Sequence, residues 1–222
     1  MDNNLWIYIV ITLVVIFVEV VLPMIMKKKV MKQLLVDIEQ EQFDTFFKRL
    51  DSFWARFSIK PYDLEVLRLN GLLAQNNDAQ QIYAQFSKIM DKKQKDGQKA
   101  SVLSRMFYYY LEHADEQNCH KIIKELEELK FDKLALQCNI QYSVLLKKES
   151  KYINEVKSQI HAMKESGNTD PYQMGSLEYL VGIQYYYANK KDNARKYLEV
   201  ALKNLKDTPY EQEIKDILVK LK

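Results

Sequence analysis

The chain has 222 residues, and its 33 Lys and Arg are nearly balanced by 30 Asp and Glu. Four of the lysines crowd into residues 27–32, so residues 33–222 carry 29 basic against 28 acidic side chains, a balance that leaves no electrostatic case for nucleic acid. Five Gly and four Pro are too few for a turn-rich β fold, and Pro61, Pro171 and Pro209 fall at breaks in helical periodicity, so an all-α chain is expected.

Residues 5–26, LWIYIVITLVVIFVEVVLPMIM, form a near-continuous apolar run that ends against Lys27, Lys28 and Lys29. At about 1.5 Å per residue the run makes roughly 33 Å of helix, enough to cross a hydrocarbon core about 30 Å thick. A cleaved secretory signal fits poorly. The head Met1-Asp2-Asn3-Asn4 lacks positive side chains, and the run closes on Pro23, Met24, Ile25 and Met26 instead of small residues. Trp6 and Tyr8 stand where an outer interfacial belt belongs, and Lys27, Lys28, Lys29 and Lys32 mark the inner side. The expected topology is a single pass through the cell membrane, N-terminus outside and the remainder cytoplasmic. Residues 1–32 are then an anchor with a basic flank that attracts anionic lipid by about 1 kcal/mol per lysine at most. On that reducing side no structural disulfide between Cys119 and Cys138 is expected. Two residues of the run are not required for spanning. Glu19, about 12 Å along the helix from Lys27, is either a tolerated near-interface acid or a contact for a partner helix. Pro23 cannot donate to the Glu19 carbonyl, so a kink is expected there.

From Gln33 onward the pattern is of helices separated by short polar or Gly/Pro stops at 58–61, 75–78, 91–97, 113–118, 147–151, 167–171, 190–193 and 206–209. Several stops carry their own mechanism. Thr169 or Asp170 can cap a helix with Pro171 in its first turn, Gly167-Asn168 suits a left-handed helix end, and Thr208-Pro209-Tyr210-Glu211 reads as a capping box. Alternate helices carry an apolar triplet spaced i, i+4, i+7: Phe46/Leu50/Phe53, Ile82/Phe86/Ile89, Cys119/Ile123/Leu126, Val156/Ile160/Met163 and Ala194/Leu198/Ala201. Their first members lie 36, 37, 37 and 38 residues apart, as when one helix recurs in one role. The competing reading is an irregular helical bundle.

Glu178-x2-Val181-Gly182-x2-Tyr185, followed by Ala194-x3-Leu198-x2-Ala201, resembles the tetratricopeptide repeat (TPR) pattern W-x2-L-G-x2-Y…A-x3-F. The small positions Gly182, Ala194 and Ala201 are kept, while Glu178 replaces the tryptophan and Leu198 the phenylalanine. Only residues 172–206 match well, and the period exceeds the usual 34. The resemblance implies a TPR-like α-solenoid of helical hairpins over 33–222, related solenoids included. Residues 210–222 would close it as a capping helix with Ile214, Ile217, Leu218 and Leu221 inward. It also implies that Tyr185 is buried between the paired helices, while Tyr179, Ile183, Tyr186 and Tyr187 point into the concave groove. Family members that clamp a peptide's C-terminal carboxylate use K-x-x-G-N, and the nearest stretch here, Arg68-Leu69-Asn70-Gly71-Leu72, departs from it, so no such clamp is expected.

Motifs for chemistry are absent. His113, Cys119 and His120 are neighbours in sequence, but a turn is expected between the two histidines and no C-x2-C or H-E-x-x-H is present. Cys119 reads as a small core residue. No nucleophile elbow and no phosphate-cradling glycine loop occurs, so neither catalysis, metal, cofactor nor small-molecule substrate is expected. The clusters Tyr108-Tyr109-Tyr110 and Tyr185-Tyr186-Tyr187 each span about 200° of helix and cannot be all core. They either pack on neighbouring repeats with hydroxyls reaching water, or line an amphipathic groove for a ligand. The expectation is a membrane-anchored scaffold or adaptor that docks a protein or peptide on Tyr108, Leu111, Tyr179, Ile183, Tyr186 and Tyr187. The alternative is a structural or assembly subunit of a membrane complex, recognised through its transmembrane helix at Glu19.

Overall fold

The computed structural model describes residues 15, 17–76, 78–167 and 170–221, and these residues are all-α, with no strand among them. A π turn, Phe17–Val21, leads into α1 (Leu22–Glu39). The wide turn stands just ahead of Pro23, whose ring and missing N–H interrupt the regular ladder. α1 then runs unbroken through the expected anchor boundary at 32/33, because the Lys, Met, Gln and Leu there are good helix formers. Among the described residues no helix is long and apolar enough to cross a membrane. Residues 5–14 and 16, which hold most of the expected span together with Trp6 and Tyr8, lie outside the described residues.

The following helices are α2 (Phe43–Leu50), α3 (Phe53–Ser58), α4 (Pro61–Ala74), α5 (Ala79–Met90) and α6 (Asp96–Glu112). Next come α7 (Glu116–Glu128), α8 (Asp132–Gln141) with its π continuation Tyr142–Leu146, α9 (Ile153–Glu165), α10 (Pro171–Tyr187), α11 (Lys191–Asn204) and α12 (Tyr210–Lys220). The chain divides into two compact units, Met1–Val102 and Leu103–Lys222. The division falls inside α6, where no linker composition announces it.

Many turns are built without glycine. Glu41, Ala114, Lys130 and Asn189 take positive φ values of 56°, 53°, 62° and 56°, each just past a helix end. At Ala114 the backbone N–H donates to Leu111 O at 3.2 Å and the next N–H, of Asp115, donates to Tyr110 O at 2.8 Å. The same pair of bonds recurs at the other three, so the orphan carbonyls of each last turn are satisfied. These non-glycine caps hide the breaks at 40–42 and 129–131 from a reading based on Gly and Pro.

The periodic triplets are buried except at two positions. Phe53 is 70 % exposed because α2 stops at Leu50 and Ser52, whose hydroxyl accepts from Ala55 N at 3.3 Å, starts α3 instead. Phe86 is only half-buried, and Gln85 beside it turns inward to donate to both Glu65 O and the Glu65 carboxylate. In the first unit Val30 and Leu34 of α1 meet Phe46 and Leu50 of α2 and Ala55 and Ile59 of the α3 segment. The Phe46 ring lies on the backbone of Gly71 where a Cβ would collide with it. Asp37, buried on α1, accepts from Arg49 at 2.7 Å and ties α1 to α2.

Candidate docking surface

In the second unit α10 and α11 form a close pair, and the tyrosine surface is built on it. Asp170 caps α10, accepting from Tyr172 N at 3.0 Å and Gln173 N at 3.4 Å, with Pro171 in the first turn. Gly175 and Gly182, seven residues apart, give α10 a face without side chains. A Cβ at Gly182 would lie 2.7 Å from Leu198 Cγ and 3.1 Å from Leu198 N, and one at Gly175 would lie 2.7 Å from Asn204 Cβ. Ala194, Leu198 and Ala201 are fully buried on α11. Of the expected signature residues Gly182 approaches Leu198 closely, and Gly175 makes a second close approach, to Asn204 and Leu205, that the pattern did not contain. Gln184, fully buried on the same helix, accepts from Tyr152 N at 2.9 Å and donates to Leu180 O at 3.0 Å. Glu178 is also buried, accepts from Asn204 Nδ2 at 3.2 Å, and has its carboxyl pushed up by burial.

Two of the expected groove residues are corrected by this geometry. Tyr179 and Ile183 are 3 % and 2 % exposed and belong to the core with Ile214, Ile217 and Leu221 of the C-terminal segment. The Tyr179 ring lies 5.3 Å from that of Tyr210, at the head of α12. Burial, reinforced by the Glu213 carboxylate, holds the Tyr179 hydroxyl far above the usual phenol range. The sequence carries the signal for this cover: Tyr210, Ile214, Ile217 and Leu221 repeat at i, i+4, i+7 and i+11. Tyr185, expected in the core, is half-buried, with its ring 5.7 Å from Tyr197.

Tyr108, Leu111, Tyr186 and Tyr187 keep a share of the surface. Tyr186 and Tyr187 lie 6.0 Å apart, and burial with the nearby Glu213 raises the Tyr187 hydroxyl to about 12. The Tyr108 hydroxyl accepts from Gln141 Nε2 at 3.3 Å. The Tyr210 hydroxyl is raised first by burial, then by Tyr172 and by the carboxylates of Glu213 and Glu112, while Tyr210 in turn acts on Tyr108. Tyr210 is thus within electrostatic reach of Tyr108, Glu112 and Glu213, and Glu213 is within reach of Tyr187. The sequence reading missed Tyr210 and both carboxylates.

Among the described residues no group of three or more His, Cys, Asp or Glu is placed to hold a metal. Cys119 and Cys138 are buried free thiols, raised by burial to about 11 and about 12, which keeps them protonated and unreactive at neutral pH. His113 bonds the Tyr109 carbonyl through Nδ1 at 2.8 Å. Arg68, in the stretch nearest to a carboxylate clamp, bonds Asp51 at 2.6 Å. No family model matches the chain, and neither a curated protein nor a solved structure matches it.

Proposed function

We propose that this chain is a single-pass membrane protein whose TPR-like helical domain docks a protein or peptide partner at the cytoplasmic membrane surface. The observation that carries the docking reading is the part-exposed tyrosine pair Tyr186 and Tyr187 on α10, rings 6.0 Å apart, with the Glu213 carboxylate within electrostatic reach of Tyr187. Partly covered tyrosines combine apolar area, a polar tip and few rotatable bonds, which suits them to recognition. Carboxylates within electrostatic reach of these tyrosine hydroxyls favour a segment carrying Lys or Arg, held by ion pairing. The anchor reading is supported by the described end of the apolar run, where Phe17, Val20, Met24 and Ile25 are all exposed and would need lipid or protein to cover them. Anchoring would raise the partner's local concentration without adding a contact.

The test is recovery of partners from membranes by the wild-type chain and by Tyr186→Ala/Tyr187→Ala and Tyr108→Ala variants, with helicity checked by circular dichroism. Loss of the same partner from the variants is expected. Unchanged recovery by folded variants removes the surface from the proposal. The second reading, a membrane-complex subunit recognised at Glu19, is favoured by the exposure of that carboxylate on the π turn Phe17–Val21. Replacing residues 5–26 with an unrelated apolar helix separates the two, because docking survives the swap and intramembrane assembly does not.

A further inference from the structure

α3 presents its apolar surface in two directions. Ala55 faces the core with Ile59, which follows the helix, whereas Phe53, Trp54 and Phe57 are 70 %, 46 % and 40 % exposed. The three outward rings form one cluster: Phe53 and Phe57 stack at 5.8 Å, and Trp54 stands edge-on to both at 5.3 and 6.3 Å. A six-residue helix that spends three aromatic residues on solvent contact is a wedge awaiting a cover.

Its position says what the cover is. α3 packs against α1, the helix that carries the lysine band. Trp54 and Met26 line one cleft of about 420 Å³ with Lys29, Lys48 and Arg49, together with the hydroxyl-bearing Thr45 and Ser52. Among the described residues that line that cleft there is no carboxylate, although Arg49 also bonds the buried Asp37 at 2.7 Å. On α1 the exposed surface passes from Met24 and Ile25 to Lys28, Lys29 and Lys32, so apolar and basic zones adjoin. Aromatic side chains beside cations match the boundary of an anionic bilayer, where rings sit at headgroup depth and lysines meet lipid phosphates.

We propose that α3 is an interfacial membrane contact: Phe53, Trp54 and Phe57 enter the headgroup region of an anionic bilayer while Lys29 and Lys48 engage lipid phosphate. This rests on the anchor reading for residues 5–26. The contact would hold the first unit down on the leaflet that its anchor leaves.

The experiment uses the full chain reconstituted in vesicles of phosphatidylcholine alone or of phosphatidylcholine with phosphatidylserine, with brominated lipids as quenchers. Trp6 and Trp54 are the two tryptophans, so a Trp6→Phe chain reports on α3 and a Trp54→Phe chain reports on the anchor. Trp54 emission is expected to be blue-shifted and quenched by shallow brominated lipid, more strongly with phosphatidylserine. Lys29→Gln/Lys48→Gln should lose the extra quenching on anionic vesicles. Phe53→Ser/Phe57→Ser, which touches no core residue, should reduce quenching on both. Trp54 left unquenched overturns the proposal and leaves α3 to a protein partner. In that case, Trp6 quenching shows whether the anchor stands or has failed as well. Equal quenching with and without phosphatidylserine overturns the anionic-bilayer part.

Discussion

At the scale of single residues, backbone conformation and buried charge are the most exposed to test. Ala114 and Lys130 sit in the left-handed region at a helix end, where a Cβ is disfavoured by about 1–2 kcal/mol and glycine is at ease. Ala114→Gly and Lys130→Gly should each raise stability by about 0.5–1 kcal/mol, the gain being trimmed by the greater freedom of glycine in the unfolded chain. Urea unfolding measures this, and a loss of stability would contradict the Schellman geometry assigned to those turns. Glu65 offers a pH test. Burial by itself raises its carboxyl, but bonds from Gln85, Lys92 and Lys88 prevail and bring it down to about 2. Because the folded value lies below the unfolded one, its stabilisation is complete above about pH 4.5 and disappears as the pH falls toward 2; it amounts to about 3 kcal/mol at most. The stability difference between wild type and Glu65→Gln should therefore shrink across that window. A difference that stays constant with pH would assign the network's worth to something other than the ionised carboxylate.

At the scale of elements, the α10/α11 pair is the sharpest case. Alanine at position 182 would gain about 1 kcal/mol of helix propensity, yet its Cβ would press on Leu198 Cγ and on the Leu198 backbone nitrogen, which cannot swing away. Overpacking of this kind costs about 1–3 kcal/mol, so Gly182→Ala should destabilise on balance. Leu198→Ala removes one of the two obstacles while leaving a cavity that costs about 2–5 kcal/mol alone. The double variant should consequently be more stable than the sum of the singles by about 1 kcal/mol, and strict additivity would mean that the two helices are not in this contact. What the sequence disclosed follows the same logic. Period and small residues announced the buried faces of α5, α7, α9 and α11, because each depends on one helix's own pattern. Tyr179 and Ile183 were misread because their surroundings depend on where α12 lies, and a helix's pattern does not name the neighbour that covers it. Phe53 fell in step with a triplet by spacing alone, while Ser52 ended that register with a local hydrogen bond.

At the scale of the whole molecule, charge placement would govern how the chain, anchored as proposed, meets a bilayer. Nearly all of the basic excess lies at residues 27–32, which form part of α1, and the rest of the chain is close to neutral. If the positive-inside bias orients the anchor, the lysine band is its main determinant, since Met1-Asp2-Asn3-Asn4 offers no competing positive side chain. Lys27, Lys28, Lys29 and Lys32 are exposed, and the Lys27 bond to Asp63 is a surface pair at 3.8 Å, worth little to folding. Converting all four to Gln while changing Asn3 and Asn4 to Arg should therefore leave the helical units folded but mix or invert their orientation. Protease added to sealed, right-side-out vesicles should spare a C-terminal tag on the wild-type chain and remove part or all of it from the variant. Digestion of the wild-type tag would reverse the proposed topology, and full protection of both chains would show that the lysines do not set it. Orientation also determines whether the Tyr108, Tyr187 and Tyr210 surface meets cytoplasmic partners, so this measurement bears on docking as directly as on the anchor.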